Sequence, residues 1–169
     1  MLPQALLAAA VVEHAAGHRQ AALELLEQLE HASRGYSWAR GIVAPEASRR
    51  AVAVGSPRLA ERLLEGAGSG AQRDRHAMAS AQAILAEHRG DLDNAAARYA
   101  DVAEGWSEFG HRLEHGHALF GFGRCGLALG GPDAAEALSA ARRLFRELGA
   151  APLTAETDAF LGEATALGS

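Results

Sequence analysis

The sequence predicts an all-α fold of about nine helices, and three observations carry that prediction. Between successive glycines, apolar side chains recur every three or four residues, which is the period of a helix with one buried face. Alanine, the strongest helix former, makes up about a quarter of the 169 residues. No stretch of useful length shows the strict apolar–polar alternation of a half-buried strand.

Each predicted helix has one apolar face and a start or stop signal. Pro57 and Pro152 suit a first helical turn, Asp91 or Asp93 suits an N-cap, and Gly149 suits the residue after a C-cap. The faces consist, in chain order, of Ala22, Leu25, Leu26 and Leu29; Leu59, Ala60, Leu63 and Leu64; Leu92, Ala95, Tyr99, Val102 and Trp106; Leu138, Ala141, Phe145 and Leu148; and Phe160, Leu161, Ala164 and Leu167.

Four glycines recur at a nearly constant interval. Gly17, Gly55, Gly90 and Gly130 are 38, 35 and 40 residues apart. Five residues after each glycine lies an alanine, and seven residues before each lies a small side chain. These residues are Ala22, Ala60, Ala95 and Ala135, and Ala10, Ser48, Ala83 and Gly123. A helical hairpin explains the pattern, because a tight turn favours glycine and closely crossing helices need small residues at the contact.

The interval predicts one α-helical repeat domain over residues 1–169. Its four repeats span approximately 2–34, 38–68, 73–109 and 112–148, and a capping helix covers 152–167. Longer connections are expected at 35–41, 66–72 and 110–116. The fourth copy fits better with a turn one residue shorter, so that Ala134, Leu138 and Ala141 take the helix positions.

In these positions the chain resembles the tetratricopeptide repeat, a 34-residue helix–turn–helix unit. That family has a small residue in its first helix, glycine at the turn, and alanine followed by a large apolar residue in its second helix. The resemblance covers roughly residues 2–148 and implies a right-handed superhelix of about four degenerate hairpins with a C-terminal capping helix. The chain departs from the family in its longer intervals, in lacking the closing proline, and in having mostly leucine or alanine at the aromatic positions.

The segment Gly105 to Ala150 also resembles the C-terminal repeat region of large bacterial signalling and transcriptional regulators. In those proteins a nucleotide cyclase or DNA-binding domain and an ATPase precede the repeats. The matching parts are Gly123-Arg124-Cys125, the LALG segment at 127–130 and the ARRLFRELGA segment at 141–150. The resemblance implies that the chain is a fragment or a relative of such a regulator, whose catalytic parts lie elsewhere.

In the tetratricopeptide family, the first helix of each hairpin lines a concave groove that holds a peptide or a partner helix. Carried over position by position, the groove side chains here are His14, Arg49, Glu87, His88, His117, Phe120 and Arg124. Arg49 and Arg124 occupy equivalent places in two copies, so they are candidates to bind a peptide carboxylate. The alternative is that both are solvated or pair with neighbouring acids.

No catalytic residue, metal site or cofactor is predicted. His111, Glu114, His115 and His117 place two imidazoles four residues apart but lack a clear third ligand, which favours a polar helix start. Cys125 lies in a stretch of small residues and is predicted to be a buried, inert thiol. The glycines at 66, 68 and 70 follow no strand and precede no Lys-Ser/Thr pair, so they indicate a connector.

The charge and the cysteine content limit which partners and which cellular compartment the sequence predicts. The formal net charge is −5, although all 16 basic side chains are arginines, so direct nucleic-acid binding is not expected. One cysteine excludes an internal disulfide. The apolar segment 5–12 has no basic flank, and no apolar run reaches the ~18 residues of a membrane span. These features predict a cytoplasmic protein without a membrane contact.

The sequence therefore predicts a non-enzymatic scaffold that binds a protein, a peptide or another domain of a parent regulator. Two alternatives stay open. One is a sensor module whose groove holds a small molecule or a signalling peptide. The other is a self-association domain that forms a homodimer, in which Tyr36, Trp38 and the edge Leu2 to Val12 contact a second copy.

Overall fold

The computed structural model describes residues 2–68 and 70–167. All regular secondary structure in this part of the chain is helical, which confirms the predicted all-α class. The nine helices are α1 (Pro3–Ala15), α2 (Arg19–Ala32), α3 (Ser37–Ala53), α4 (Pro57–Leu64), α5 (Gln72–His88), α6 (Leu92–Phe109), α7 (Arg112–Leu129), α8 (Ala134–Glu147) and α9 (Ala151–Leu167). They form two compact units, Met1–His88 and Arg89–Ser169.

In the first unit, α1 packs against α2 and α3 packs against α4, as two helical hairpins. The helix α3 also packs against α1 on one side and α5 on another. The core of this unit consists of Leu6, Ala10, Ala22, Leu26, Leu29, Val43, Ala47, Ala51, Val54, Leu59, Ala60, Leu63 and Leu85. The predicted faces of α2 and α4 are therefore confirmed, with Leu25 and Leu64 only half-buried at their edges.

In the second unit, α7 packs against α6 and α8, and α9 packs against α8 and α7. On α6 the predicted face is confirmed from Ala95 to Trp106, and Leu92 is half-buried. On α8 the predicted positions of Ala134, Leu138 and Ala141 are confirmed as buried, and Ala135 is exposed. The turn before α8, residues 130–133, is one residue longer than the other three predicted hairpin turns and not shorter as predicted. Leu148 was predicted to complete this face but is 41% exposed, since α8 ends at Glu147. The side chain of Leu167 lies outside the described residues.

The glycine turns take the backbone conformation that the hairpin argument requires. Gly17, Gly55, Gly90 and Gly130 have φ angles between +70° and +83°, a left-handed conformation that L side chains disfavour. The paired small residues Ala10, Ala22, Ser48 and Ala60 of the first two hairpins are fully buried. In these two hairpins, the predicted small residues before and after each turn glycine are therefore both buried.

Two of the three predicted long connections are wrong. The helices α3 and α7 begin at Ser37 and Arg112, so Gly41 and Gly116 lie inside helices. A β-carbon on Gly41 would lie 2.9 Å from Cγ of Asp74, and one on Gly116 would lie 2.8 Å from Cε1 of Phe145. These glycines permit close side-chain contacts and do not form turns. The connection predicted at 66–72 is present between α4 and α5.

A buried arginine joins the two hairpins of the first unit. Arg40 on α3 is only 6% exposed, and all five of its N–H donors are used. Its Nη1 donates to the carbonyls of Arg62 and Glu65 at the end of α4, at 3.0 and 2.7 Å. Its Nη2 donates to the carbonyl and the carboxylate of Glu30, both at 3.1 Å, and its Nε donates to Oγ of Ser33 at 3.2 Å. One guanidinium therefore caps the C-terminal ends of α2 and α4.

We expect Arg40→Met to destabilise the protein by roughly 3–5 kcal/mol, because it leaves the Glu30 carboxylate and two helix ends without their buried donor. Urea unfolding followed by circular dichroism measures the change. Arg58 is exposed on α4, so Arg58→Met is the control and should stay within about 0.5 kcal/mol of the native sequence. Equal stabilities of the two variants would contradict the capping role.

Two alanine substitutions in the second unit should have opposite effects. A β-carbon on Gly121 would lie 2.6 Å from Cε1 of Tyr99, whose ring is buried, whereas one on Gly162 in α9 would meet nothing within 4 Å. Gly121→Ala should cost about 1–3 kcal/mol through overpacking between α6 and α7. Gly162→Ala should stabilise by about 0.5–1 kcal/mol, because alanine is the better helix former. Thermal unfolding distinguishes the signs.

Candidate interaction surface

A cluster of polar side chains joins α1 and α3 in the first unit. The Glu46 carboxylate lies between two guanidiniums of its own helix, 2.8 Å from Nε of Arg49 and 2.6 Å from Nε of Arg50. Nη1 of Arg50 is 3.2 Å from Nδ1 of His14 on α1. We call His14, Glu46, Arg49 and Arg50 the α1/α3 polar cluster.

The helical spacing explains how the cluster forms. Glu46 precedes its two partners by three and four residues, which places all three side chains on one face of α3. A guanidinium only donates hydrogen bonds, so Nδ1 of His14 accepts and the ring proton lies on Nε2. The side chains of Arg49, Arg50 and Glu46 are 17%, 25% and 27% exposed, so the cluster is accessible but partly shielded from water.

The two guanidiniums determine the charge state of Glu46. Burial raises the pKa of this carboxyl group, but Arg49 and Arg50 together outweigh burial and hold the pKa below its ordinary value. Glu46 is therefore a carboxylate at neutral pH. The cluster holds two guanidiniums around one carboxylate, which is an arrangement suited to acidic groups.

The structure brings only some of the seven predicted groove residues together. His14 and Arg49 belong to the α1/α3 polar cluster, where Glu46 and Arg50 connect them. In the last turn of α5, Glu87 is half-buried and His88 is exposed. The remaining three residues, His117, Phe120 and Arg124, lie on α7 in the second unit.

Phe120 is a core residue and not a groove residue, which corrects the prediction. It is 2% exposed, and its ring lies edge-on to Phe145 on α8 and Phe160 on α9, with centroids 6.2 and 5.5 Å apart. The His117 ring lies 5.4 Å from that of Phe145. The Arg124 guanidinium carbon is 4.4 Å from the Phe120 centroid, a cation–π contact. The three residues therefore form part of an aromatic cluster.

Arg49 and Arg124 occupy equivalent positions relative to their turn glycines, but their surroundings differ. Nine residues before the glycine, α3 carries Glu46 and α7 carries Gly121. Arg49 is therefore paired with an acid of its own helix, whereas Arg124 lies over an aromatic ring. The common carboxylate-binding role of the two side chains stays a prediction.

Glu46 and Arg50 were missed as candidate site residues. The segment Glu46-Ala-Ser-Arg49-Arg50 nevertheless contains the signal, because an acid followed three and four residues later by arginine forms ion pairs on a helix.

The histidines near the start of α7 and the single cysteine lie in ordinary structural positions. His111 is the N-cap of α7, where its ring accepts a hydrogen bond from the Glu114 N–H at 3.4 Å. His115 is half-buried, and burial lowers its pKa. No group of three or more metal-ligating side chains is present among the described residues. Cys125 is buried, as predicted.

No protein-family model matches the chain, and comparisons with curated proteins and with solved structures found no match either. Within the described residues, no helix combines the length and the apolar character that a membrane span requires.

We expect Glu46→Gln to lower stability by about 1 kcal/mol at pH 7, because a neutral amide cannot hold two guanidiniums. The folded-state pKa of Glu46 is depressed. The stabilisation is therefore present above the pKa of an unfolded glutamate, about 4.3, and is lost as the pH falls through the folded-state pKa. Urea unfolding between pH 7 and pH 3.5 should show the difference from the native sequence shrinking toward zero.

Glu27 is exposed on α2, so Glu27→Gln serves as the matched control and should change stability little at any of these pH values. A deficit in Glu46→Gln that stays constant across the pH range would contradict the ion-pair interpretation.

Proposed function

We propose that the chain is a non-enzymatic protein-interaction module whose stacked helical hairpins present the α1/α3 polar cluster to a partner. The observation that supports this most directly is the packing of α3 against α1 and α5. Of these, α1 and α3 are the first helices of the two hairpins of the first unit, each with a glycine turn, and α5 packs beside α3. Side-by-side first helices are what a tetratricopeptide-like array uses to form its binding surface.

The chemistry of the cluster supports a partner with acidic side chains. Arg49 and Arg50 already bind one carboxylate, that of Glu46, with both Nε atoms. Each guanidinium has five donors in a planar fork, so an acidic side chain of a partner can be held beside Glu46 or in exchange with it. The partial shielding of these side chains strengthens such charge-assisted hydrogen bonds.

The wider context belongs to the same proposal. The resemblance of residues 105–150 to the repeat region of large bacterial regulators favours a module that acts in signalling or transcription control inside the cell. Its partner is then another protein or another domain of such a regulator. Arg124 is kept as a second candidate contact, because its position matches that of Arg49.

A panel of fluorescent acidic peptides tests the proposal by anisotropy. A peptide bound by the native sequence should lose at least tenfold in affinity to the double variant Arg49→Ala/Arg50→Ala. The control is Arg58→Ala/Arg143→Ala, which removes the same charge from exposed positions on α4 and α8. Binding to the native sequence should also weaken with added salt. Equal loss in both double variants would overturn the assignment of the cluster.

A further inference from the structure

One hydrogen bond of the α1/α3 polar cluster requires an uncharged histidine. Nη1 of Arg50 lies 3.2 Å from Nδ1 of His14. Because a guanidinium has donors and no acceptor, this nitrogen of His14 accepts through its lone pair. A proton bound at Nδ1 removes the lone pair and turns the acceptor into a second donor. The hydrogen bond between α1 and α3 therefore exists in one protonation state of the ring and is lost in the other.

A protonated His14 faces a guanidinium at hydrogen-bond distance. The imidazolium and the Arg50 guanidinium are both cations and both donors, so neither satisfies the other. A carboxylate placed beside them accepts from Nδ1 of His14 and from Nη1 of Arg50 at the same time. His14 is half-buried and the Arg50 side chain is 25% exposed. Such a carboxylate can therefore reach the pair from solvent.

The ionisable groups of α1 and α2 near His14 have other partners or lie further away. Glu13, the neighbour of His14 on α1, is 2.7 Å from His18 in the turn that follows. At the start of α2, Nε of Arg19 donates to a carbonyl at the end of α3. The next ionisable side chain of α2 is Glu24, more than one turn further along that helix.

On α3, the other helix packed against α1, the acid nearest to His14 along the cluster is already bound. Glu46 pairs with Arg49 and Arg50. Burial raises the pKa of Glu46, but the two arginines outweigh burial and hold the pKa below its ordinary value. Glu46 therefore stays a carboxylate between pH 8 and pH 5.5. The remaining charged group of α3, Arg40, binds the ends of α2 and α4.

We propose that protonation of His14 strengthens the binding of an acidic partner at the α1/α3 polar cluster, so that the module binds more tightly at mildly acidic pH. This inference rests on the proposed function and adds its regulation. Histidine is the side chain whose charge ordinarily changes between pH 5 and pH 8. With a neutral ring, two guanidiniums and one carboxylate leave the cluster one net positive charge. An imidazolium adds a second charge and a donor for the partner.

The sign of the effect follows from proton linkage. The complex holds the proton on His14 more firmly than the free protein does, because the bound carboxylate accepts from the imidazolium. Binding therefore takes up a proton, and the affinity rises as the pH falls. With one proton taken up, the affinity changes by at most about tenfold per pH unit.

NMR of the free protein tests the state of the ring without any partner. In two-bond 1H–15N spectra at pH 8, Nδ1 of His14 should be unprotonated and Nε2 should carry the proton. At pH 5.5 both nitrogens should be protonated. The His14→Asn variant, which lacks this signal, provides the assignment. A proton on Nδ1 at pH 8, or a ring that is still neutral at pH 5.5, would overturn the proposal.

Fluorescence anisotropy with aspartate-rich peptides tests the effect on binding. The pKa of an aspartate is about 3.9, so these peptides keep their charge between pH 8 and pH 5.5. The native sequence should bind at least fivefold more tightly at pH 5.5 than at pH 8. His14→Asn keeps an acceptor for Arg50 but takes up no proton, so its affinity should change less than twofold. His31→Asn is the matched control, since His31 is exposed in the last turn of α2, and it should keep the full pH dependence.

The outcomes separate this inference from the proposed function. Equal affinities of the native sequence at both pH values would overturn the role of His14 and leave the acidic partner in place. The same pH dependence in His14→Asn as in the native sequence would do so too. No binding of the peptides at either pH would overturn both proposals. Circular dichroism should show the two variants folded.

Discussion

The arrangement of the first unit depends on one buried guanidinium. Arg40 donates to carbonyls at the C-terminal ends of α2 and α4 and connects them through a third helix. Burying this charge has a cost, which is offset by its five hydrogen bonds, one of them to the Glu30 carboxylate. A hydrophobic contact tolerates a shift of one helix along another, whereas a five-donor fork does not. Arg40 therefore fixes the register of the two hairpins. The relative position of α1 and α3 in that register determines the geometry of the α1/α3 polar cluster.

A second arginine connects two helix ends in the same way. Nε of Arg19, at the start of α2, donates to the carbonyl of Val54, where α3 ends, at 2.9 Å. Long arginine stems cross the gaps that small residues leave at the ends of closely packed helices. The second unit uses aromatic rings at its centre instead, with Phe120 between Phe145 and Phe160. Hydrogen bonds from arginine side chains thus connect the helices of the first unit, and aromatic packing connects those of the second.

Periodicity predicted the helices and most buried faces, because burial on one side of a helix leaves a regular trace in the sequence. It could not distinguish Gly41 and Gly116, which permit close contacts inside helices, from glycines that form turns. It also could not show that Phe120 is covered, since Phe145 and Phe160 come from helices much later in the chain. The pairing of Glu46 with two arginines was readable from local spacing, but its link to His14 needed the packing of α1 on α3.

The small residues that allow α1 to pack closely also decide which of its surfaces are available. Leu6 and Ala10 are buried in the core, and His14 lies on the adjoining side at Arg50. Val12 is two residues from His14, so the two side chains point about 200° apart around the helix. The polar cluster and the exposed side of α1 that carries Val12 therefore lie on opposite sides of one helix. A partner that binds at the cluster can therefore contact α1 without moving Leu6 and Ala10 from their places in the core.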